Sequence, residues 1–199
     1  EALANGACGV TTNPVLIAKS LNARPDVWKP VLSGLPAKLQ GQEKAEFVME
    51  RITTTIAANL NPAFKSTRGK QGYVCAQVNP GRPGDVAEMI AMAGRFQSWA
   101  PNIAVKLPAT KAGMEALEEC SARGITCTMT VSFTVPQVIA IAECYRKGLA
   151  RAKKDGVTAG RCFAVVMVGR LDDYLREVAM DQKYSVSETE LKQAGLAVV

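Results

Sequence analysis

The chain has 199 residues, of which 48% are hydrophobic and 21% are charged, and it carries a formal net charge of +6. This composition predicts one globular domain over residues 1–199 with an ample apolar core. The sequence contains no histidine, which excludes a Ser-His-Asp triad, a Cys-His pair and a His-ligated zinc ion. Acid–base chemistry must therefore come from Lys, Asp, Glu, Tyr, Cys or bound water.

The excess of positive charge has an ordinary explanation in this chain. Basic residues are interleaved with acidic ones along predicted helices, and aromatic residues are few, so we assign the charge to solvated helix faces and expect no nucleic-acid partner. No apolar run approaches the roughly 20 residues of a membrane span, and the first residues lack the pattern of a secretory signal. The sequence thus predicts a cytoplasmic protein with no membrane partner. Its six cysteines form no C-x-x-C pair and are interpreted as reduced and structural.

Five short apolar stretches alternate with helical segments along the chain. The predicted strands cover residues 7–12, 73–78, 103–107, 125–131 and 163–168. The predicted helices cover residues 15–21, 42–60, 86–96, 110–123, 134–154, 171–179 and 189–199, with helical spacing also at 27–32. Asn61-Pro62 is expected to end the long second helix, and Ser187 with Glu190 to form a capping box for the last one.

This alternation is typical of a parallel α/β sheet with both faces covered. A barrel and a doubly wound sheet both fit the pattern. The glycine-rich phosphate fingerprints of nucleotide-binding doubly wound folds are absent from the sequence, so the (β/α) barrel is favoured.

Polar side chains occur at the carboxyl end of each predicted strand. They are Asn13, Gln77, Lys106, Thr130 and Arg170, and in a parallel barrel such positions converge on one mouth. Each has a structural interpretation when taken alone. In the same order these are a turn residue, a core amide, an edge-strand lysine that reaches water, a residue that favours strands and a cation at a helix entry. Five polar residues at the ends of five separate strands together predict a site.

Lys106 determines the chemistry that such a site would perform. Only a neutral amine attacks a carbonyl carbon, and the apolar neighbours Ile103, Val105 and Leu107 favour the uncharged form. An amine, a guanidinium, an amide pair and a hydroxyl without a metal cluster predict amine catalysis on a phosphorylated carbonyl compound. Arg170 suits the phosphate, because its planar fork binds two oxygens at once.

Four motifs carry a family resemblance that covers nearly the whole chain. They are G-V-T-T-N-P-V-L-I at residues 9–17, V-K-L-P-A-T-K-A-G at 105–113, G-I-T-C-T-M-T-V-S-F-T at 124–134 and V-G-R-L-D-D at 168–173. In this order they resemble the transaldolase family of class I aldolases. The resemblance implies a (β/α)8 TIM barrel and a Schiff base on Lys106, with no cofactor and no metal. It also implies transfer of a dihydroxyacetone unit between sugar phosphates in the non-oxidative pentose phosphate pathway.

The resemblance assigns roles to further residues as well. Asn13 would hold the hydroxyl groups of the substrate, Thr130 would support proton transfer through a water molecule, and Arg170 would bind phosphate. Gln77 takes the position of a glutamate that works with the catalytic water in transaldolases. Thr128 takes the position of an asparagine and is assigned to substrate binding.

Departures from the family pattern keep two other functions open. Gln77 is similar to the residue in fructose 6-phosphate aldolases and favours simple aldol cleavage, yet Met167 replaces the tyrosine usual in those aldolases. Val165 replaces a serine that often occurs five residues before the arginine. Together with Gln77 and Thr128, this replacement supports a noncatalytic barrel that binds sugar phosphates.

The strand count also departs from that of a whole barrel. A TIM barrel has eight strands in about 250 residues, whereas the sequence shows five convincing strands. We therefore expect the chain to be a piece of a longer protein, with the first and last strands of the barrel missing and with poor solubility and no activity alone. The aspartate that acts as general acid and base in the family would lie before Glu1, and further phosphate ligands after Val199. A homo-oligomer is compatible with the sequence.

Overall fold

A computed structural model describes residues 5–198 of the chain. The strands are β1 (Gly9–Val10), β2 (Tyr73–Gln77), β3 (Ile103–Pro108), β4 (Cys127–Ser132) and β5 (Cys162–Val166). They follow one another in sequence order in a single sheet, and the pairs β1–β2, β2–β3 and β4–β5 are parallel. A doubly wound sheet reverses its strand order at a switch point, so the order found here confirms an α/β fold with five strands of a TIM barrel.

Contacts divide the chain into two compact units, and the boundary falls within β3. The first unit runs to Gly81 and then from Glu88 to Lys106, and the second comprises Arg82–Ala87 and the chain from Leu107 onward. A single domain over residues 1–199 stays a prediction.

The first part of the chain contains four helices, and the long third one packs on β2. They are α1 (Pro14–Ala23), α2 (Pro25–Val31), α3 (Gly41–Ser66) and α4 (Val86–Gln97). The core residues Ile52, Leu60, Val74, Phe96 and Val105 are each at most 2% exposed. Burial of this apolar surface holds the helices against the strands.

The predicted end of α3 at Asn61-Pro62 is wrong. The helix continues through Pro62 to Ser66, although proline removes one backbone hydrogen bond from a helix interior. Phe64 lies in the added turn and packs edge-on against Tyr73, with ring centroids 5.2 Å apart. This contact to the start of β2 gives a physical reason for the extra turn, because packing routinely overrides local propensity.

The second unit contains four helices and one short helical turn. They are α5 (Lys111–Ala122), α6 (Val135–Lys154), α7 (Gly169–Asp181), α8 (Glu188–Ala194) and a 3-10 turn (Leu196–Val198). α5 and α6 approach closely at Gly148, where an added Cβ would lie 2.5 Å from the Cβ of Ser121. The predicted capping box of Ser187 and Glu190 is confirmed. The predicted helix over 189–199 breaks at Gly195 instead, and its last residue, Val199, lies outside the described residues.

The cysteines are free thiols, of which Cys120 and Cys127 are buried in the core. All six are unpaired by disulfides, and Cys127 lies opposite Cys162 in the β4–β5 register. Burial raises the pKa of Cys162 to about 11. A hydrogen bond with Cys120, together with burial, raises the pKa of Cys127 well above its usual range. Both thiols stay protonated at neutral pH and are poor nucleophiles.

Between residues 5 and 198, no helix combines the length and apolar character that a bilayer crossing requires. In that part of the chain, no three Cys, Asp or Glu side chains are arranged to hold a metal ion.

Candidate active site

A polar pair lies at the carboxyl ends of β2 and β3. Gln77 and Lys106 are register partners of these parallel strands, so their side chains point to the same face of the sheet. Val105 and Leu107 flank Lys106 along the strand and are fully buried, whereas Lys106 is half-buried. The strand therefore presents one amine on its accessible face and fixes it with an apolar residue on either side.

Thr11 holds the amine of Lys106. The Lys106 Nζ donates a hydrogen bond to Thr11 Oγ1 at 3.2 Å. Thr11 was not among the predicted site residues, although a signal for it exists in the alternation of strand faces. Gly9 is the register partner of Tyr73, and counting by twos places Thr11 on the face of Gln77 and Lys106. The hydroxyl orients the Nζ over this face.

The residues after Thr11 anchor the end of β1. The Thr12 hydroxyl donates to the carbonyl oxygen of Cys75 at 2.6 Å, and Thr12 is only 4% exposed. Asn13 is the N-cap of α1, and its Oδ1 accepts from the backbone N–H of Leu16 at 2.8 Å. The side-chain oxygen of Asn13 therefore has a structural role at the turn into α1. Its Nδ2 donates to no described residue and is free to meet a substrate oxygen.

A cavity of about 620 Å³ lies beside Gln77 in the first unit. Its walls come mainly from apolar side chains of α1 and α3, such as Ile17 and Met49. Lys106 is not part of its lining. An apolar cavity without the amine is unsuited to a sugar phosphate, so the geometry assigns the chemistry to the sheet face rather than to this cavity.

The second unit places two predicted threonines on one face of β4. Thr128 is 4% exposed and Thr130 is 8% exposed. Thr130 Oγ1 donates to the thioether sulfur of Met167 at 3.8 Å, and its carbonyl oxygen accepts from the N–H of Ala109 at 2.6 Å. Because a thioether is a weak acceptor, the Thr130 hydroxyl is readily available to a water molecule or a substrate.

β4 departs from regular strand geometry directly after Thr130. Met129 lies opposite Ala164 and Ser132 opposite Val166, so two residues of β4 face one residue of β5. This is a β-bulge, and Val131 within it has φ of 64°. The sequence analysis predicted a plain strand here and missed the bulge, because β-branched valine does not signal a left-handed backbone.

Arg170 lies at the start of α7. It is the second residue of that helix and is exposed. Val168, which precedes the helix, provides no side-chain cap. Arg170 makes no ion pair or side-chain hydrogen bond with a described residue, whereas Arg176 on the same helix is bound to Asp173 and Glu188. The guanidinium of Arg170 is therefore available to an anion.

The site residues fall into two sets by unit. The first unit brings Lys106 together with Thr11 and Gln77, and the second places Thr128 and Thr130 on one strand. Convergence of all five strand ends on one mouth stays a prediction. The half-buried amine of Lys106 is suited to addition to a carbonyl group, and the buried hydroxyls of Thr128 and Thr130 are suited to proton transfer.

Comparison with known proteins connects these motifs to one family. Residues 1–199 match the profile of the family described as Transaldolase/Fructose-6-phosphate aldolase. A protein named Transaldolase 2 from Streptomyces avermitilis is 31% identical over 170 residues, which are 82% of this chain and 45% of that protein. A transaldolase from Thermobifida fusca is 29% identical over 200 residues, covering 95% of this chain and 54% of that protein. A transaldolase from Kocuria rhizophila is 30% identical and covers 95% of this chain and 52% of that protein.

The family assignment rests on the match to the whole sequence. The chain spans about half the length of these curated relatives. Its strand–helix order and the amine on β3 fit the family resemblance found in the motifs. The chain belongs to the transaldolase/fructose-6-phosphate aldolase family.

Proposed function

We propose that this protein is a transaldolase that moves a dihydroxyacetone unit between sugar phosphates through a Schiff base on Lys106. The observation that carries the proposal is the amine of Lys106, which the Thr11 hydroxyl holds at 3.2 Å on the accessible face of an otherwise apolar strand. The relatives named transaldolase support the same reaction class. This reaction belongs to the cytoplasmic pentose phosphate pathway and needs no cofactor.

The chemistry begins with the neutral amine of Lys106. Its nitrogen attacks the carbonyl carbon of a ketose phosphate, water leaves, and an iminium ion forms. The bond between the carbons α and β to the iminium carbon then breaks. The hydroxyl on the β carbon gives its proton to a bound water molecule and becomes the carbonyl of the departing aldehyde, while the electron pair of the broken bond converts the iminium into an enamine. The remaining enamine attacks an acceptor aldehyde, and hydrolysis frees the lysine.

Other described residues serve binding and proton transfer in this proposal. Asn13 offers its Nδ2 to a substrate hydroxyl, and the exposed guanidinium of Arg170 binds the phosphate in a bidentate manner. Thr128 contacts the substrate from β4. The Thr130 hydroxyl supports proton transfer through a water molecule, and Gln77 offers its amide from β2 to the catalytic water or the carbonyl oxygen of the substrate.

A second function is favoured by Gln77 alone. Register pairing puts an amide, rather than a carboxylate, beside Lys106. An amide cannot take up a proton from water as a carboxylate does. This substitution favours plain cleavage of fructose 6-phosphate, as in the aldolases of the family, over transfer to a second sugar.

Borohydride trapping tests the amine chemistry directly. The full-length protein is incubated with fructose 6-phosphate and reduced, and peptides are analysed by mass spectrometry. We expect an adduct of dihydroxyacetone on Lys106. A protein that forms no adduct is neither enzyme and fits the noncatalytic sugar-phosphate barrel.

Product analysis then separates transfer from cleavage. Erythrose 4-phosphate is added as acceptor, and sedoheptulose 7-phosphate is measured against free dihydroxyacetone. A transaldolase produces the seven-carbon sugar and little free dihydroxyacetone. The reverse ratio assigns the protein to the cleavage reaction.

A further inference from the structure

Val131 adopts a backbone conformation that valine normally avoids. Its φ is 64°, in the left-handed region where a β-branched side chain is crowded. The Val131 side chain is 47% exposed, so tight packing of that side chain does not explain the conformation. A strained residue of this kind persists only where its surroundings fix it.

The strain coincides with the bulge that follows Thr130. Thr128 is register partner of Phe163, and Met129 of Ala164, but Ser132 is partner of Val166. The extra residue shifts the alternation of faces by one, so Ser132 joins the face of Met129 rather than that of Thr130. Thr130 is therefore the last residue of β4 to project from its face, and the bulge decides where that projection ends.

One side chain spans the bulge from the next helix. Gln137 Nε2 donates to the carbonyl oxygen of Val131 at 3.4 Å, and Gln137 Oε1 accepts from the N–H of Phe133 at 2.8 Å. The same Oε1 accepts from the N–H of Thr134, as part of the capping box of α6. Gln137 thus has two separable functions: its oxygen caps the helix, and its amide NH2 group holds Val131.

We propose that Gln137 is a positioning residue, which holds Val131 in the left-handed conformation and thereby fixes the direction of the Thr130 hydroxyl. The inference rests on the proposed function, because Thr130 is its proton-transfer group. Gln137 acts only through the backbone of the bulge and touches no substrate. Loss of its amide donor lets Val131 relax towards the β region, which rotates the peptide that follows Thr130.

The decisive variant is Gln137→Glu. Glutamate keeps the acceptor for Phe133 and Thr134, so α6 stays capped, but it loses the donor to Val131 and places a negative charge against that carbonyl. We expect kcat to fall about 10- to 100-fold with KM unchanged, since a small misplacement of a proton-transfer group costs this much. Thermal stability should stay within about 2 °C of the wild type.

Thr134→Ala is the matched control. It removes the side-chain oxygen that caps Gln137 N at 3.4 Å and leaves the bond to Val131 in place. It also removes the bond from the Thr134 hydroxyl to Gln137 Oε1. We expect a lower melting temperature and unchanged kcat, because this variant weakens the helix cap and leaves the Nε2 donor of Gln137 on Val131. A fall in kcat equal to that of Q137E would make the effect one of helix capping and would overturn the proposal.

Rescue by glycine tests the strain itself. Glycine adopts φ of about 60° without cost, so Q137E/V131G should recover at least half of the lost kcat on a logarithmic scale. The single variant V131G should keep wild-type kcat. A double variant as slow as Q137E would show that the conformation of residue 131 does not transmit the effect, and the proposal would fail.

Amide hydrogen exchange separates failure of this inference from failure of the proposed function. The probe is the exchange rate of residues 131–133 in the wild type, Q137E and Q137E/V131G. If the wild type forms no adduct on Lys106, the proposed function fails. The exchange rates then test by themselves whether Gln137 holds Val131. Exchange that is faster in Q137E and returns to the wild-type rate in the double variant supports the contact between Gln137 and Val131 as the positioning device. Equal rates in all three proteins overturn it.

Discussion

The carboxyl ends of β3 and β4 present their polar side chains by different means. In β3, Val105 and Leu107 are fully buried on either side of Lys106, so the regular alternation of a strand places the amine. In β4, Thr130 is followed by a bulge with strained Val131, which the side chain of Gln137 spans. The first arrangement depends on local periodicity, and the second depends on hydrogen bonds from another element.

Removal of the amine of Lys106 tests the β3 side of this comparison with the largest expected effect. Lys106→Met keeps the length of the side chain and removes the nucleophile. We expect the borohydride adduct to vanish and activity to fall at least about 1000-fold, because methionine has no amine that can form the iminium. Activity is measured as sedoheptulose 7-phosphate or free dihydroxyacetone formed per minute.

Lys111→Met provides the control for that loss. Lys111 is exposed at the start of α5, so its removal changes the net charge equally but should leave activity within about twofold. An adduct that persists in K106M would show that another lysine forms the Schiff base. Lys106 would then be a strand lysine that only extends to water.

The hydroxyl of Thr12 fixes the β1 end of the same face. Thr12→Val removes the 2.6 Å hydrogen bond to the carbonyl of Cys75 at a buried position. We expect the free energy of unfolding to fall by about 1–3 kcal/mol, since the part-buried carbonyl of Cys75 loses the Thr12 hydroxyl as a partner. Urea denaturation measures the change, and a loss below about 0.5 kcal/mol would show that the backbone of β1 and β2 holds this end without Thr12.

The amount that could be predicted from the sequence follows the same division. The strand–helix order and the cap at Ser187 depend on local signals such as apolar runs and capping residues. These signals are present in the sequence, and both predictions are confirmed. Thr11 was missed although the period of two could have found it once the register was known.

Other features were hidden because tertiary contacts decide them. α3 runs through Pro62, where Phe64 packs on Tyr73. The bulge at Val131 depends on Gln137, six residues away and on a different element. Propensity argues against both features, so a single sequence gives no local sign of either. The bulge beside Thr130, in the second unit, is the part of the candidate site that could not be predicted from the sequence.

Thr11 tests whether the amine of β3 needs help from β1. Thr11→Val removes the described hydrogen-bond partner of Lys106 Nζ while the shape of the side chain is kept. We expect kcat to fall about 3- to 10-fold with little change in stability, because Thr11 is exposed and its bond orients a group without burying it. Stopped-flow trapping with borohydride should show slower formation of the iminium. Equal rates in T11V and wild type would mean that strand alternation alone positions the amine.

Substitution of Ser132 should change the free energy of unfolding least, and in the opposite direction to substitution of Thr12. The Ser132 Oγ is buried at 0% exposure and bonds to no described residue. Because an unsatisfied buried hydroxyl costs free energy, Ser132→Ala should leave stability unchanged or raise it by up to about 1 kcal/mol. Urea denaturation of S132A beside T12V compares a buried hydroxyl at the bulge with one beside a regular strand. A loss of more than about 1 kcal/mol in S132A would show that the bulge holds Ser132 by a bond, and the two strand ends would then be stabilised in the same way.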